Sequence, residues 1–390
     1  MDEEKVFSGE NEEPLEAENT PEEREKTTLD NEEKTAESSA ESSTNSTENK
    51  QFVDENREKD KKYTYFGQEN FVPHPNVIKE YFEKPAVKRT ANKIGLCLIL
   101  FNFITLVLQV AISLVLSFLG KAEYLSDPFV VLELNIILTI LGFVPIGAII
   151  FGVEKGKKAL SFGFPKKQSF VSLILMGVGF FYTANVLTVI LQSNLSFLGE
   201  LKGGDITLPT GVSGVIMSVL AVAAAPALLE EFVFRGAILG GLLKYGKGFA
   251  IFTSALLFGL MHGNLVQIPF AFMAGLIIGF VVVETGSFWS GVLIHFINNL
   301  MSVGLDILKN YLGETAANGV YMFLLVILIS IGIIGFFAYS LKNKNAFTFE
   351  KTEHFSSTSE RIKWFISAGA IVIYIIIVAL EVIILQLAPN

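Results

Sequence analysis

Gly211-Val-Ser-Gly-Val-Ile-Met-Ser-Val-Leu-Ala-Val-Ala-Ala-Ala-Pro226-Ala-Leu-Leu-Glu230-Glu231-Phe-Val-Phe-Arg235-Gly-Ala-Ile-Leu-Gly-Gly-Leu-Leu243 is an apolar run interrupted by two adjacent carboxylates and an arginine. Its length exceeds the ~20 residues that carry a helix across a ~30 Å hydrocarbon core. Pro226 cannot donate its backbone nitrogen, so the reading is a kinked helix, or two helical pieces meeting there. Charged side chains at membrane depth are costly, and by default they mark function. Glu231 and Arg235 are four residues apart, share a face and can pair. Glu230 points about 100° away and receives no partner from its own helix.

Working outward, nine apolar runs follow one another: 94–119, 129–152, 169–192, 211–243, 248–263, 265–284, 287–304, 320–341 and 363–386. Half of the 390 residues are hydrophobic (51%) and mean hydropathy is +0.49, far too apolar for a soluble domain of this length. Basic residues fall in alternate loops: Lys84 to Lys93, Lys155 to Lys167, Lys244 with Lys247, and Lys342 to Lys363. Nine spans place all of them on one side, so the amino terminus is expected in the cytosol and the carboxyl terminus outside. No 20–50-residue repeat and no matched pair of interrupted helices is visible, which argues against solenoids and inverted-repeat transporters.

Residues 1–60 are a different polymer, with 21 acidic against 7 basic side chains, a net of −14 in a chain of net −9. The remaining residues therefore carry +5. This Glu/Ser/Thr/Asn-rich stretch cannot bury enough apolar surface to offset chain entropy and is expected to be disordered. No apolar core follows an early basic stretch, so no cleavable secretory signal is expected. The single cysteine, Cys97, excludes disulfides within one chain, Cys-based zinc sites and CxxC redox chemistry. The fold class is thus all-α: a polytopic transmembrane bundle of about nine spans behind a disordered acidic tail.

Two further motifs join Glu230-Glu231-x3-Arg235: Phe258-Gly-Leu-Met-His262-Gly-Asn264 and His295-Phe-Ile-Asn298-Asn299. Phe258 shares a face with His262, and His295 with Asn299, each four residues apart. Counted from Lys244 and Lys247 with a rise of ~1.5 Å per residue, Glu230 and His262 each lie roughly 21–22 Å along their helices. Counted from Gly286, His295 and Asn299 lie about 14 and 20 Å in. Each residue taken singly has a plain structural use, as a packed ion pair, a satisfied histidine or an amide bonding a neighbouring helix. Scattered structural residues have no reason to coincide in depth.

In order and each within an apolar run, Glu-Glu-x3-Arg, Phe-x3-His and His-x3-Asn resemble the type II CAAX prenyl endopeptidases and their bacterial relatives, the CPBP (bacteriocin-processing and immunity) proteins. Met261-His262-Gly263-Asn264 is closer to the bacterial branch, because eukaryotic prenyl-protein members follow that position with further histidines. The resemblance covers about residues 170–305 and implies an intramembrane endopeptidase in a bacterial cell membrane. It gives Glu230 and His262 the tasks of orienting and deprotonating a water, His295 and Asn299 the oxyanion, and Glu231 with Arg235 the shaping of the site. The chain then divides into an acidic tail (1–62), a juxtamembrane segment (63–90) whose stretch from Tyr63 to Lys84 is expected to form a short interfacial helix, two spans and a basic loop (91–168), the catalytic core (169–305) and two further spans (306–390).

The expected partners are a membrane-embedded peptide or protein substrate and the lipid bilayer, with no nucleic acid. No cofactor is required, although zinc held by Glu230, His262 and His295 is the runner-up, as in His2Glu hydrolases. Gly211-Val-Ser213-Gly214 also matches the short pattern of serine intramembrane proteases. Outside the enzymes, a non-proteolytic membrane scaffold or immunity protein of the same family is the alternative.

Overall fold

The computed structural model describes residues 74–154, 163–165, 169–195, 201–202, 207–345, 347–348 and 354–387. The acidic tail and the basic residues Lys155, Lys157, Lys158, Lys166 and Lys167 lie outside them. The described chain is helical: α1 (Pro75–Phe118), α2 (Pro128–Glu154), α3 (Phe170–Leu195), α4 (Gly211–Tyr245), α5 (Lys247–Met261), α6 (Ile268–Thr285), α7 (Phe288–Leu312), α8 (Glu314–Lys342), α9 (Thr358–Ile366) and α10 (Gly369–Leu387). Eight of these are long and apolar enough to cross a membrane among the described residues, and the chain is an integral membrane protein. Large apolar side chains such as Phe103 on α1, Phe323 on α8 and Ile384 on α10 are exposed, as lipid-facing surfaces require.

One expectation needs correction. The run 248–263 forms α5, whose 15 residues reach only ~22 Å, short of the hydrocarbon core. It therefore does not make a ninth helix of spanning length. Of the short interfacial helix expected before the first span, residues 63–73 lie outside the described residues, and from Pro75 helix runs unbroken to Phe118.

Small residues set the close approaches. In α5 and α6, Gly259 meets Phe272, Ala255 meets Gly275 and Ile251 meets Gly279, a descending register that makes the two helices antiparallel. Gly179 of α3 lies directly on Gly332 of α8, where any side chain would collide with backbone. In the same pair Gly335 faces Met176, so these helices are also antiparallel. Gly147 of α2 accepts the Phe232 ring of α4, and Phe151 lies over Gly236, so α2 and α4 run parallel. Helices α1 and α10 are parallel too. Asn92 Oδ1 accepts from the Ala370 N–H at 2.9 Å, and further along Asn102 Nδ2 donates to Glu381 at 3.0 Å.

α4 is one helix of 35 residues with two π-helical stretches rather than two separate pieces. The first, Val219–Ala224, precedes Pro226 and absorbs the backbone disturbance that the ring creates. The second, Phe232–Leu239, follows Glu231 directly and contains Arg235. Here Ser254 Oγ of α5 donates to the Phe234 carbonyl at 2.9 Å, a bond to α4 backbone from a neighbouring helix. The far end of α4 is tied down as well: His354 Nε2–H donates to the Lys244 carbonyl at 2.8 Å, while Glu83 of α1 accepts from the Phe355 and Ser356 N–H groups at 2.9 Å.

Candidate active site

Glu231 and Arg235 are fully buried, each with 0% exposure, so neither charge has water to solvate it. They compensate each other: Arg235 Nη1 donates to Glu231 Oε1 at 2.7 Å, the pairing their spacing calls for. The guanidinium carbon also sits 4.2 Å from the centroid of the Phe258 ring, a cation–π contact that solvates the cation by another route.

The same Glu231 oxygen accepts from His295 Nδ1–H at 2.9 Å, which joins α4 to α7. This bond fixes the ring, because a carboxylate already holding a guanidinium is an acceptor and Nδ1 must carry the proton. Nε2 is then presented to Glu230, whose Oε2 lies 3.9 Å away. That gap is too long for a direct hydrogen bond. Glu230 Oε2 is buried and has no hydrogen-bond partner among the described residues. An unpaired buried carboxylate oxygen beside an imidazole is costly as structure and useful as a base.

His262 caps α5. Its Nδ1–H donates to the Phe258 carbonyl at 2.9 Å, one turn back, so Nε2 keeps its lone pair. The two imidazoles flank one ring, with His262 and His295 centroids 5.2 and 5.8 Å from that of Phe258, both edge-on. Asn299 stands one helical turn beyond His295 on α7, and its Oδ1 accepts from Asn298 Nδ2 at 3.1 Å. Glu230, Glu231, Arg235 and His295 thus meet directly, and His262 joins them through Phe258. Asn299 continues the His295 face, and its side-chain hydrogen bond goes to Asn298 rather than to the cluster.

Three further residues build the site. Phe258 is the shared wall of the site, foreshadowed only by its four-residue spacing from His262. Asn264 holds the turn after α5: its Nδ2 donates to the His262 carbonyl at 2.9 Å and its Oδ1 accepts the Gln267 N–H at 2.8 Å. Gly291 lets α7 approach α4, since a Cβ there would stand 2.8 Å from Glu231 Oε2 and 2.9 Å from Val282. Its signal was the four-residue spacing to His295.

Among the described residues, no group of three or more His, Cys, Asp and Glu is placed to hold a metal ion, so the runner-up zinc set of Glu230, His262 and His295 is not assembled. Among the described residues, His295 is the histidine within 4 Å of a Glu230 oxygen. Ser213, the nucleophile of the serine reading, is exposed in the first turn of α4, ~26 Å along the helix from Glu230.

No curated protein and no solved structure matches the chain. One protein family does, described as type II CAAX prenyl endopeptidase Rce1-like, and the match spans residues 212–301, the stretch that holds all six residues singled out from the sequence. The chain therefore carries, over residues 212–301, a domain of the Rce1-like type II CAAX prenyl endopeptidase (CPBP) family.

Proposed function

We propose that the chain is an intramembrane endopeptidase that hydrolyses a peptide bond of a membrane-associated peptide or protein with a water activated by Glu230. The observation that carries the reading is the bare, buried Oε2 of Glu230 facing an imidazole that Glu231 and Arg235 hold in place. Glu230 takes a proton from a water, and the water oxygen adds to the scissile carbonyl carbon. His262 Nε2, with its lone pair free, accepts the second water hydrogen and aims the oxygen.

The carbonyl oxygen becomes an oxyanion and needs donors placed in advance. His295 supplies Nε2–H when the ring is an imidazolium, whose charge the Glu231 carboxylate balances through Nδ1. Asn299 supplies Nδ2, because its Oδ1 is the atom engaged by Asn298. When the tetrahedral adduct collapses, the C–N bond breaks and the proton held on Glu230 passes to the departing nitrogen. Glu231 and Arg235 touch no reacting atom and act by positioning His295.

The substrate class is a peptide presented at membrane depth, and the amino terminus is placed in the cytosol with the carboxyl terminus outside. The test uses the purified full chain in lipid nanodiscs, a set of membrane-spanning peptides and water enriched in oxygen-18. Hydrolysis by activated water puts one heavy oxygen into each new carboxyl terminus, and Glu230→Gln should put in none. Cleavage that persists in Glu230→Gln would remove Glu230 from the mechanism.

A further inference from the structure

Outside the matched segment, one carboxylate lies within a spanning helix beside the site. Glu381 stands 12 residues into α10, ~18 Å from Gly369, at a depth close to the ~22 Å of His262 along α5. Its Oε1 accepts from Asn102 Nδ2 of α1 at 3.0 Å. Its Oε2 lies 3.3 Å from where a Cβ would stand on Gly263, the residue after His262. Gly263 has φ +62°, so both its backbone and its surroundings call for glycine. Glu381 therefore reaches the turn that carries His262.

Glu381 is nevertheless exposed, in a helix whose other exposed residues are apolar, such as Ile373, Ile376, Ile383 and Ile384. A carboxylate open to acyl chains at this depth is strongly disfavoured; such groups face water or a protein-lined interior. A cleavable peptide bond sets the complementary requirement. The substrate must be extended at the bond to be attacked, and each N–H so released at membrane depth needs an acceptor.

We propose that Glu381, oriented by Asn102, is a substrate-binding residue at a water-filled lateral mouth beside the Gly263 turn, where α1 and α10 form its rim and the free oxygen of Glu381 accepts backbone N–H groups of the extended peptide on its way to Glu230. The occupant rests on the endopeptidase reading; the mouth does not. Asn102 fixes one oxygen and leaves the other for the ligand, with the acceptor held against the catalytic turn.

Two arms test this. With Cys97→Ser as background, single cysteines at 381, and separately at 102, are treated in the full chain in nanodiscs with a charged, water-soluble methanethiosulfonate. Only a hydrated thiolate reacts, so both thiols should react at least about tenfold faster than cysteines at 376 and 383, on the opposite face of α10. Equal rates would overturn the proposal whether or not the chain is a protease.

In the second arm, kinetics on a cleaved membrane peptide compare wild type with Glu381→Gln and Glu381→Asp. Losing a charged acceptor should raise KM by about tenfold and leave kcat within about twofold, with partial rescue by Asp. A fall in kcat at constant KM would also overturn the proposal. Wild-type protein that cleaves no peptide would defeat the endopeptidase reading, and with it the substrate assigned here, while the thiol rates still decide the mouth.

Discussion

Glu231 is the residue on which the cluster turns, since one of its oxygens takes both Arg235 and His295. Removing one partner from a buried pair leaves an uncompensated charge, so Arg235→Leu and Glu231→Gln should each lower stability by about 3–5 kcal/mol, read as a lower unfolding temperature in detergent. Glu230→Gln should leave that temperature within a few degrees of wild type, because Oε2 gives up no protein partner. Equal destabilisation by Glu230→Gln would make Glu230 a structural residue. Groups that act as one unit lose activity non-additively, so Glu230→Ala combined with His262→Ala should cost little more than either alone. Multiplying losses would mean that the two serve separate steps. Gly291→Ala places a methyl group against Glu231 Oε2 and should cost about 1–3 kcal/mol by overpacking, in addition to displacing His295.

At the scale of elements, the helices were legible in the sequence wherever an apolar run exceeded bilayer length, and the Glu231–Arg235 pair because four-residue spacing put both on one face. What spacing does not encode is contact between helices. The bond from His295 to Glu231 joins residues 64 apart and depends on Gly291 letting α7 in, so the sequence paired Glu231 with Arg235 alone. The π-helical stretch around Arg235 is likewise a tertiary outcome, secured in part by Ser254 of α5. Ser254→Ala should therefore lower activity more than stability, with cleavage assays and melting measured side by side; loss of both in proportion would reduce Ser254 to a packing residue. In α9, Ser357 and Glu360 form a reciprocal cap, and the Ser357 N–H foremost holds the Glu360 carboxyl below its ordinary value. A lowered folded-state value means that this contribution is present at neutral pH and lost as pH falls through the acid range. Hydrogen exchange in α9 should accelerate on acidification, after correction for intrinsic rates, and Glu360→Gln, which removes the titrating carboxyl, should remove that dependence.

For the molecule as a whole, the parallel course of α1 and α10 puts Pro75 and Leu387 at opposite ends of the bundle. The basic residues at Lys84 to Lys93, Lys244 with Lys247, and Lys342 gather at the α1-start end. Single cysteines at 76 and 387 in a Cys97→Ser background should be labelled from the cytosolic and the outer side respectively; labelling from one side would overturn this orientation. The short helix α5 fits the same plan, because a hairpin with α6 that carries His262 to mid-depth needs no full crossing. The central claim, a peptide bond cut at membrane depth by Glu230, is tested most directly in cells. Membrane and released peptides are compared by mass spectrometry between strains expressing, at equal levels, the wild-type chain and Glu230→Gln. The account predicts peptides with new termini within or beside a transmembrane segment in the wild-type strain alone. Identical peptide sets in the two strains would contradict it.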